Sequence, residues 1–199
     1  MKSIIVATKN EGKMKEFKDF FNTYGLKAIS LLELSESIPD IQETGDTFSE
    51  NAALKAEAIA NHLKRPVLAD DSGLVIDALG GKPGVYSARY AGEYANDQEN
   101  VDKVLREMQD IPPHNRSARF ICVLAIAQPD EKTIFKEGSC EGTIAFKPMG
   151  DRGFGYDPIF IPKGYTKTMA ELPSEEKNKI SHRKNAFNRL KNWLKTISG

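Results

Sequence analysis

Apolar positions along this chain switch repeatedly between strand-like runs and helical spacing. Ser3 to Thr8, SIIVAT, predicts a buried strand almost at the start of the sequence. Lys9 to Lys13, KNEGK, breaks it. Met14, Phe17, Phe20, Phe21 and Tyr24 then recur at helical spacing, with Gly25 as a natural stop. Leu26 to Leu32 predicts a second strand, and Ser35 to Gly45 a loop. Thr47 and Glu50 form a capping box that opens a helix to Leu63. Pro66 to Asp71 predicts a third strand ending at two acids, and Leu74 to Leu79 a further apolar run before a turn at Gly80 to Gly84.

Asp97 caps a predicted helix to Asp110, with Val101, Val104, Leu105 and Met108 inward and Pro112 and Pro113 ending it. Phe120 to Ala127, Thr133 to Cys140 and Gly142 to Phe146 read as three strands in an antiparallel meander. Pro173 to Asn178 begins a helical turn. Ser181 to Ile197 is an amphipathic helix whose buried stripe is Ala186, Phe187, Leu190, Trp193, Leu194 and Ile197. The alternation predicts an α/β fold with a long mixed sheet flanked by helices.

Composition narrows the function. Lysine plus arginine number 28 and aspartate plus glutamate 28, so the chain as a whole does not attract a polyanion. A nucleic-acid-coating role is disfavoured, while a small anion held by a local basic cluster stays open. Cys122 and Cys140 lack metal-ligand spacing and lie in apolar runs, which predicts buried thiols in a reducing compartment. No membrane-length apolar run or signal peptide is seen, and a cytoplasmic protein is expected.

Four stretches carry chemistry. Thr8, Asn10, Gly12 and Lys13 fall in a strand-to-helix turn, where amides and the helix dipole collect anions, although the Walker spacing is absent. Asp70 and Asp71 stand side by side at a strand end, on opposite faces of an extended segment. They read as a metal ligand or general base, or as an Asx-turn between two strands. Phe154, Tyr156 and Asp157 sit among glycines in PMGDRGFGYDP, a stacking surface for a planar ring or an ordinary packed loop. Lys177, Lys179, His182, Arg183 and Lys184 crowd the start of the last helix, where cations oppose the dipole, which suggests service to a ligand. Glu43 reads as a solvated loop acid. Asn51 and Lys55, one helical turn apart, read as a solvated face. Together the stretches are the parts of a nucleotide site.

The blocks ATKNEGKMKEF, ETGDTFSENAALKA, LADDSGLVIDALGGKPGVYSARYAG, GFGYDPIF and SHRKNAF resemble, in order and over nearly the whole chain, the inosine triphosphate pyrophosphatase family (Ham1-like non-canonical purine NTP pyrophosphatases). The resemblance implies a single ITPase-like domain over residues 1–199, with two lobes, a central cleft holding the site, and a homodimer. It implies Mg²⁺-dependent hydrolysis of ITP, dITP and XTP between the α and β phosphates, cleansing the nucleotide pool. Carried onto this sequence, Thr8, Lys9, Asn10, Glu11, Gly12 and Lys13 hold the phosphates, with Asn10 and Lys13 foremost, and Lys55 adds charge. Asp71 is general base and metal ligand, and Asp70 supports it. Ser72 touches the substrate. Phe154 stacks on the purine, with Gly155, Tyr156 and Asp157 completing that wall. Lys177, His182 and Arg183 read the base. Relatives often carry two acids before the Thr-Gly of the loop; here Gln42 stands first, which leaves Glu43 to serve as the second metal ligand. Two rivals remain: a Maf-like pyrophosphatase for other modified nucleotides, against which GFGYDPIF and SHR argue, and a non-catalytic nucleotide-binding module, against which Asp71, Lys13 and Lys55 argue.

Overall fold

The computed structural model describes residues 3–198, with the side chains of 192 and 195–198 outside the described set. The strands are β1 (Ser3–Val6), β2 (Lys27–Ser30), β3 (Val67–Ile76), β4 (Ser117–Ala127), β5 (Ile134–Ile144) and β6 (Phe160–Pro162). The helices are α1 (Glu11–Asn22), α2 (Phe48–Leu63), α3 (Asp97–Glu107), α4 (Ser174–Ile180) and α5 (His182–Ser198). The strands form one six-stranded sheet in the order β2-β1-β3-β4-β5-β6. β1 runs parallel to β2 and β3, and β5 antiparallel to β6, so the sheet is mixed, as the alternation predicts.

The chain divides into two compact units. The first comprises Met1–Asp71, Cys122–Gly138 and Ala186–Gly199; the second comprises Ser72–Ile121 and Ser139–Asn185. In the first, the α1 stripe of Met14, Phe17, Phe20 and Phe21 packs with Ala186, Phe187, Leu190 and Leu194 of α5 on β1, β2 and part of β4. Phe20 and Phe187 stack with ring centroids 4.0 Å apart. Trp193 packs against this core half-buried, and the Ile197 side chain lies outside the described residues. In the second unit, Val101, Val104 and Met108 of α3 pack with Leu74, Ile76, Phe120, Ile144 and Phe160.

Four elements differ from their sequence expectations. First, β3 runs unbroken through Asp70, Asp71, Ser72 and Gly73, so the acids lie in mid-strand and there is no Asx-turn. Turn-forming residue types yield here to a strand buried on both faces. Second, the expected break after Cys140 is absent: β5 is one strand, and Gly142 is in it because the Phe160 ring crosses that position. A Cβ on Gly142 would come within 2.6 Å of Phe160 Cζ. Third, α3 is capped by Asn96, in a reciprocal box with Glu99, not by Asp97, and it ends at Glu107 well before the prolines. Fourth, Lys177 and Lys179 belong to the last turn of α4, where cations favour the dipole, and only His182, Arg183 and Lys184 open α5.

Candidate functional site

In the first unit, the β1–α1 turn, the loop before α2 and the middle of β3 bring charged groups together. Asn10 is the N-cap of α1, its side chain accepting from the Lys13 amide at 2.9 Å, and Thr8 Oγ1 accepts from the Asn10 amide at 3.2 Å. This turn holds Lys13 so that its ammonium meets Asp70 Oδ2 at 2.8 Å. Lys55, from the third turn of α2, donates to Glu43 Oε1 at 2.6 Å and to the Asp70 main-chain carbonyl at 2.7 Å. Thr8, Asn10, Lys13, Glu43, Lys55 and Asp70 line one cavity of about 250 Å³; Asp71 is not among its lining residues. Gln42 is exposed, whereas Glu43 is half-buried against Lys55, so Glu43 is not the solvated acid that its loop position suggests. Nor do Asn51 and Lys55 form a solvated face: Asn51 is fully buried and Lys55 mostly so. Lys9 pairs with Asp40 at 3.0 Å in solvent, and Glu11 is exposed in the first turn of α1, where its charge suits the dipole. Gly12 follows Glu11 in that turn.

Burial dominates the electrostatics. Asp70 is 1% and Asp71 6% exposed. Burial pushes the Asp71 carboxyl up to about 6; Lys55 and Lys13 pull it down, while Glu43 and Asp70 push it further up. Burial also draws the Lys55 ammonium down, but Asp70, Glu43 and Asp71 outweigh it and leave the group above its ordinary value. A buried carboxylate cluster is tolerable only with such partners. The result is a base ionised at neutral pH yet stronger than a solvated aspartate.

Glu43 and Asp71 supply oxygen donors of the kind that a hard divalent cation takes. No cluster of three or more His, Cys, Asp or Glu suited to a metal occurs among the described residues. Magnesium needs none, because it takes one or two carboxylates and fills its shell with water and phosphate oxygens. Glu43 and Asp71 are hard oxygen donors in a site with an excess of buried negative charge, which a divalent cation relieves.

In the second unit, residues 153–157 form a tight loop. The Phe154 amide donates to Asp157 Oδ2 at 3.0 Å, and the Gly155 amide to Asp97 Oδ2 at 2.6 Å. Gly155 has φ +60°, a left-handed conformation that suits glycine. Tyr156 Oη donates to the Ser87 carbonyl at 2.7 Å, which buries that ring and leaves Phe154 half-exposed. Lys177 Nζ reaches Asp157 Oδ2 at 2.6 Å and lies 5.0 Å from the Phe154 ring centroid, with Arg183 Cζ at 5.4 Å. Burial raises the Asp157 pKa, and Lys177 opposes it. His182 stacks on Phe120 at 4.9 Å, and its Nε2 lies 3.2 Å from Arg183 Nη1. A guanidinium only donates, so Nε2 is the acceptor in this contact. Arg183 Nη1 also approaches Ser72 Oγ at 3.4 Å.

Asp97, which the sequence predicts as the cap of α3, instead accepts from the Gly155 amide. The signal was present in Asn96-x-x-Glu99, a better capping box that leaves the Asp97 carboxylate to hold the loop.

The pattern of the Ham1 family matches residues 4–193. The dITP/XTP pyrophosphatase of Oceanobacillus iheyensis is 67% identical over 197 residues, covering 99% of this chain and 100% of that protein. The dITP/XTP pyrophosphatase of Bacillus subtilis is 55% identical over 194 residues, 98% of each chain. The solved structure of the Staphylococcus aureus Ham1 protein superposes with a TM-score of 0.88 at 45% identity, covering 98% of this chain and 100% of that one.

Proposed function

This chain belongs to the Ham1 family, and we propose that it hydrolyses non-canonical purine nucleoside triphosphates, namely dITP, XTP and ITP. The products are the nucleoside monophosphate and pyrophosphate, and the role is to clear deaminated purines from the nucleotide pool. The observation that carries the reaction class is the buried charge cluster itself: Asp71 is 6% exposed, Lys13 lies 2.8 Å from Asp70 Oδ2, and Lys55 lies 2.6 Å from Glu43 Oε1.

In this reading Lys13 and Lys55 take the triphosphate oxygens, with Thr8, Lys9, Asn10, Glu11 and Gly12 shaping the turn that receives them. Asp70 is the positioning residue for Lys13. Asp71 takes the proton of the water that adds across the α–β phosphoanhydride; the bridging P–O bond breaks and pyrophosphate leaves. Mg²⁺, held by Glu43 and Asp71, supplies charge neutralisation at the phosphoryl oxygens when bound. Phe154 stacks on the purine, and Gly155, Tyr156 and Asp157 hold its loop. The Phe154 and Gly155 amides already donate to carboxylates, which supports Arg183 as donor to the six-carbonyl of hypoxanthine or xanthine, with Lys177, His182 and Ser72 around it. Adenine offers an amino group to the same donor and leaves it unpaired, at a cost on the order of 1–3 kcal/mol.

Pyrophosphate release from ITP, dITP, XTP, GTP, ATP and dTTP, with Mg²⁺ and with chelator, tests the reading. Fast release confined to the first three and lost with chelator is expected; no release from any of them refutes it. Phe154→Ala is expected to raise KM for ITP about 5- to 150-fold with little change in kcat, as loss of one base-stacking contact implies. An unchanged KM removes the stacking role. Inhibition by tripolyphosphate, which has no base, should be the same in wild type and variant.

The family resemblance also supports a homodimer in the cytoplasm. Both cysteines are buried free thiols, which suits a reducing compartment, and no described helix is long and apolar enough to cross a membrane. Analytical ultracentrifugation measures the oligomeric state directly.

A further inference from the structure

Asn51 is an amide in the core of α2 that the chemistry above does not use. It is fully buried, and its Oδ1 accepts from the Gly45 amide at 2.7 Å. The next two amides of the loop, Asp46 and Thr47, both donate to Glu50 Oε2, at 2.8 and 3.0 Å. Three successive amides are thus fastened to the first turns of α2. Glu43 lies just two residues upstream of the innermost fastening and reaches Lys55, one turn beyond Asn51 on the same helix. The fit at Gly45 is close: a Cβ there would stand 2.6 Å from Glu50 Cβ and 2.8 Å from Asn51 Oδ1. Glu50 is a surface capping residue, but Asn51 is poor core material. Its Nδ2 is buried with no acceptor among the described residues, a cost that an apolar side chain would not carry. What the asparagine alone provides is the oxygen that seats the loop.

We propose that Asn51 is the positioning residue for Glu43: by fixing the Gly45 amide it holds the loop that delivers the Glu43 carboxylate to a divalent cation. The inference rests on the assignment of Glu43 as a metal ligand. Partners that orient a ligand typically govern metal affinity by about 10- to 100-fold.

The test is a titration of the nucleotide-free protein with Mn²⁺, followed by the electron paramagnetic resonance signal of the free ion. Asn51→Ala, Gly45→Ala and Glu43→Gln are each expected to weaken Mn²⁺ binding about tenfold or more. The Asn51→Ala/Glu43→Gln double variant should be no weaker than Glu43→Gln alone, because both changes remove the same ligand. Gly45→Ala displaces the loop from its own side and leaves the α2 core intact, so it decides the matter if Asn51→Ala does not fold. The Mg²⁺ concentration for half-maximal turnover should rise in the same variants. Mn²⁺ affinity within twofold of wild type in Gly45→Ala and Asn51→Ala, no loss in Glu43→Gln, or losses that add in full in the double variant would overturn the proposal. Failure of the pyrophosphatase reading appears elsewhere, as a wild-type protein that binds Mn²⁺ in this pattern and releases no pyrophosphate.

Discussion

Asp71→Asn should lower kcat for pyrophosphate release from ITP by two to four orders of magnitude, roughly the contribution of a positioned general base. The two side chains have nearly the same shape, so the mid-strand position of residue 71 and the packing around it are kept. What disappears is the proton acceptor and one of the buried negative charges beside Lys55 and Lys13. Those lysines remain tied to Glu43 and Asp70, so the phosphate-binding groups stay in place and nucleotide affinity should change only a few-fold. Calorimetric titration with a non-hydrolysable ITP analogue measures that affinity without turnover. Full activity in the variant sinks the assignment. Lost activity together with lost binding would instead give Asp71 a structural or purely metal-holding role.

The lysines explain why the site is stable before any substrate arrives. Lys13 and Lys55 already face carboxylates at 2.8 and 2.6 Å. On the proposed assignment, a triphosphate takes over part of their coordination rather than attracting loose side chains from solvent. Groups held in this way spend little conformational freedom on binding.

Much of this arrangement is legible in the sequence because it is local. The spacing of Met14, Phe17, Phe20 and Phe21 specifies the buried face of α1, and Thr47 with Glu50 specifies the start of α2. The β1–α1 turn and the Gly-rich aromatic loop are likewise written in contiguous residues. What fails is whatever depends on partners distant in the chain. Asp70-Asp71-Ser72-Gly73 has the composition of a turn, yet it continues as a buried strand in which Lys13 and Lys55, far away in sequence, meet Asp70. Gly142 looks like a break until Phe160 is laid across it. Asn51 looks like a surface residue until the loop that it holds is seen.

Arg116→Met should destabilise the folded chain by about 3–5 kcal/mol, the second large effect and one that no motif announces. Arg116 is only 2% exposed, yet none of its guanidinium hydrogen bonds among the described residues ends on an acid. Nε donates to the Ile144 carbonyl at 2.8 Å and Nη2 to that of Ala145 at 3.0 Å. Nη1 donates to the carbonyls of Met108 and Ile111, at 2.7 and 3.1 Å. The Phe146 ring covers the cation with its centroid 4.3 Å from Cζ. One side chain thus ties the end of α3 to the end of β5, and burial lowers its pKa. Methionine keeps much of the volume but strands those carbonyls in the interior. Equilibrium urea unfolding should show the loss, and the thermal midpoint should fall by about 6–20 °C for a chain of this size. Arg116→Lys should recover only part of it, because one ammonium cannot match the planar fork. The Ala145 amide in turn donates to the Ile159 carbonyl at 2.8 Å, at the turn that follows Asp157. Loosening the staple should therefore raise KM for ITP more than it lowers kcat. A variant with an unchanged unfolding midpoint would show that the carbonyls find water instead.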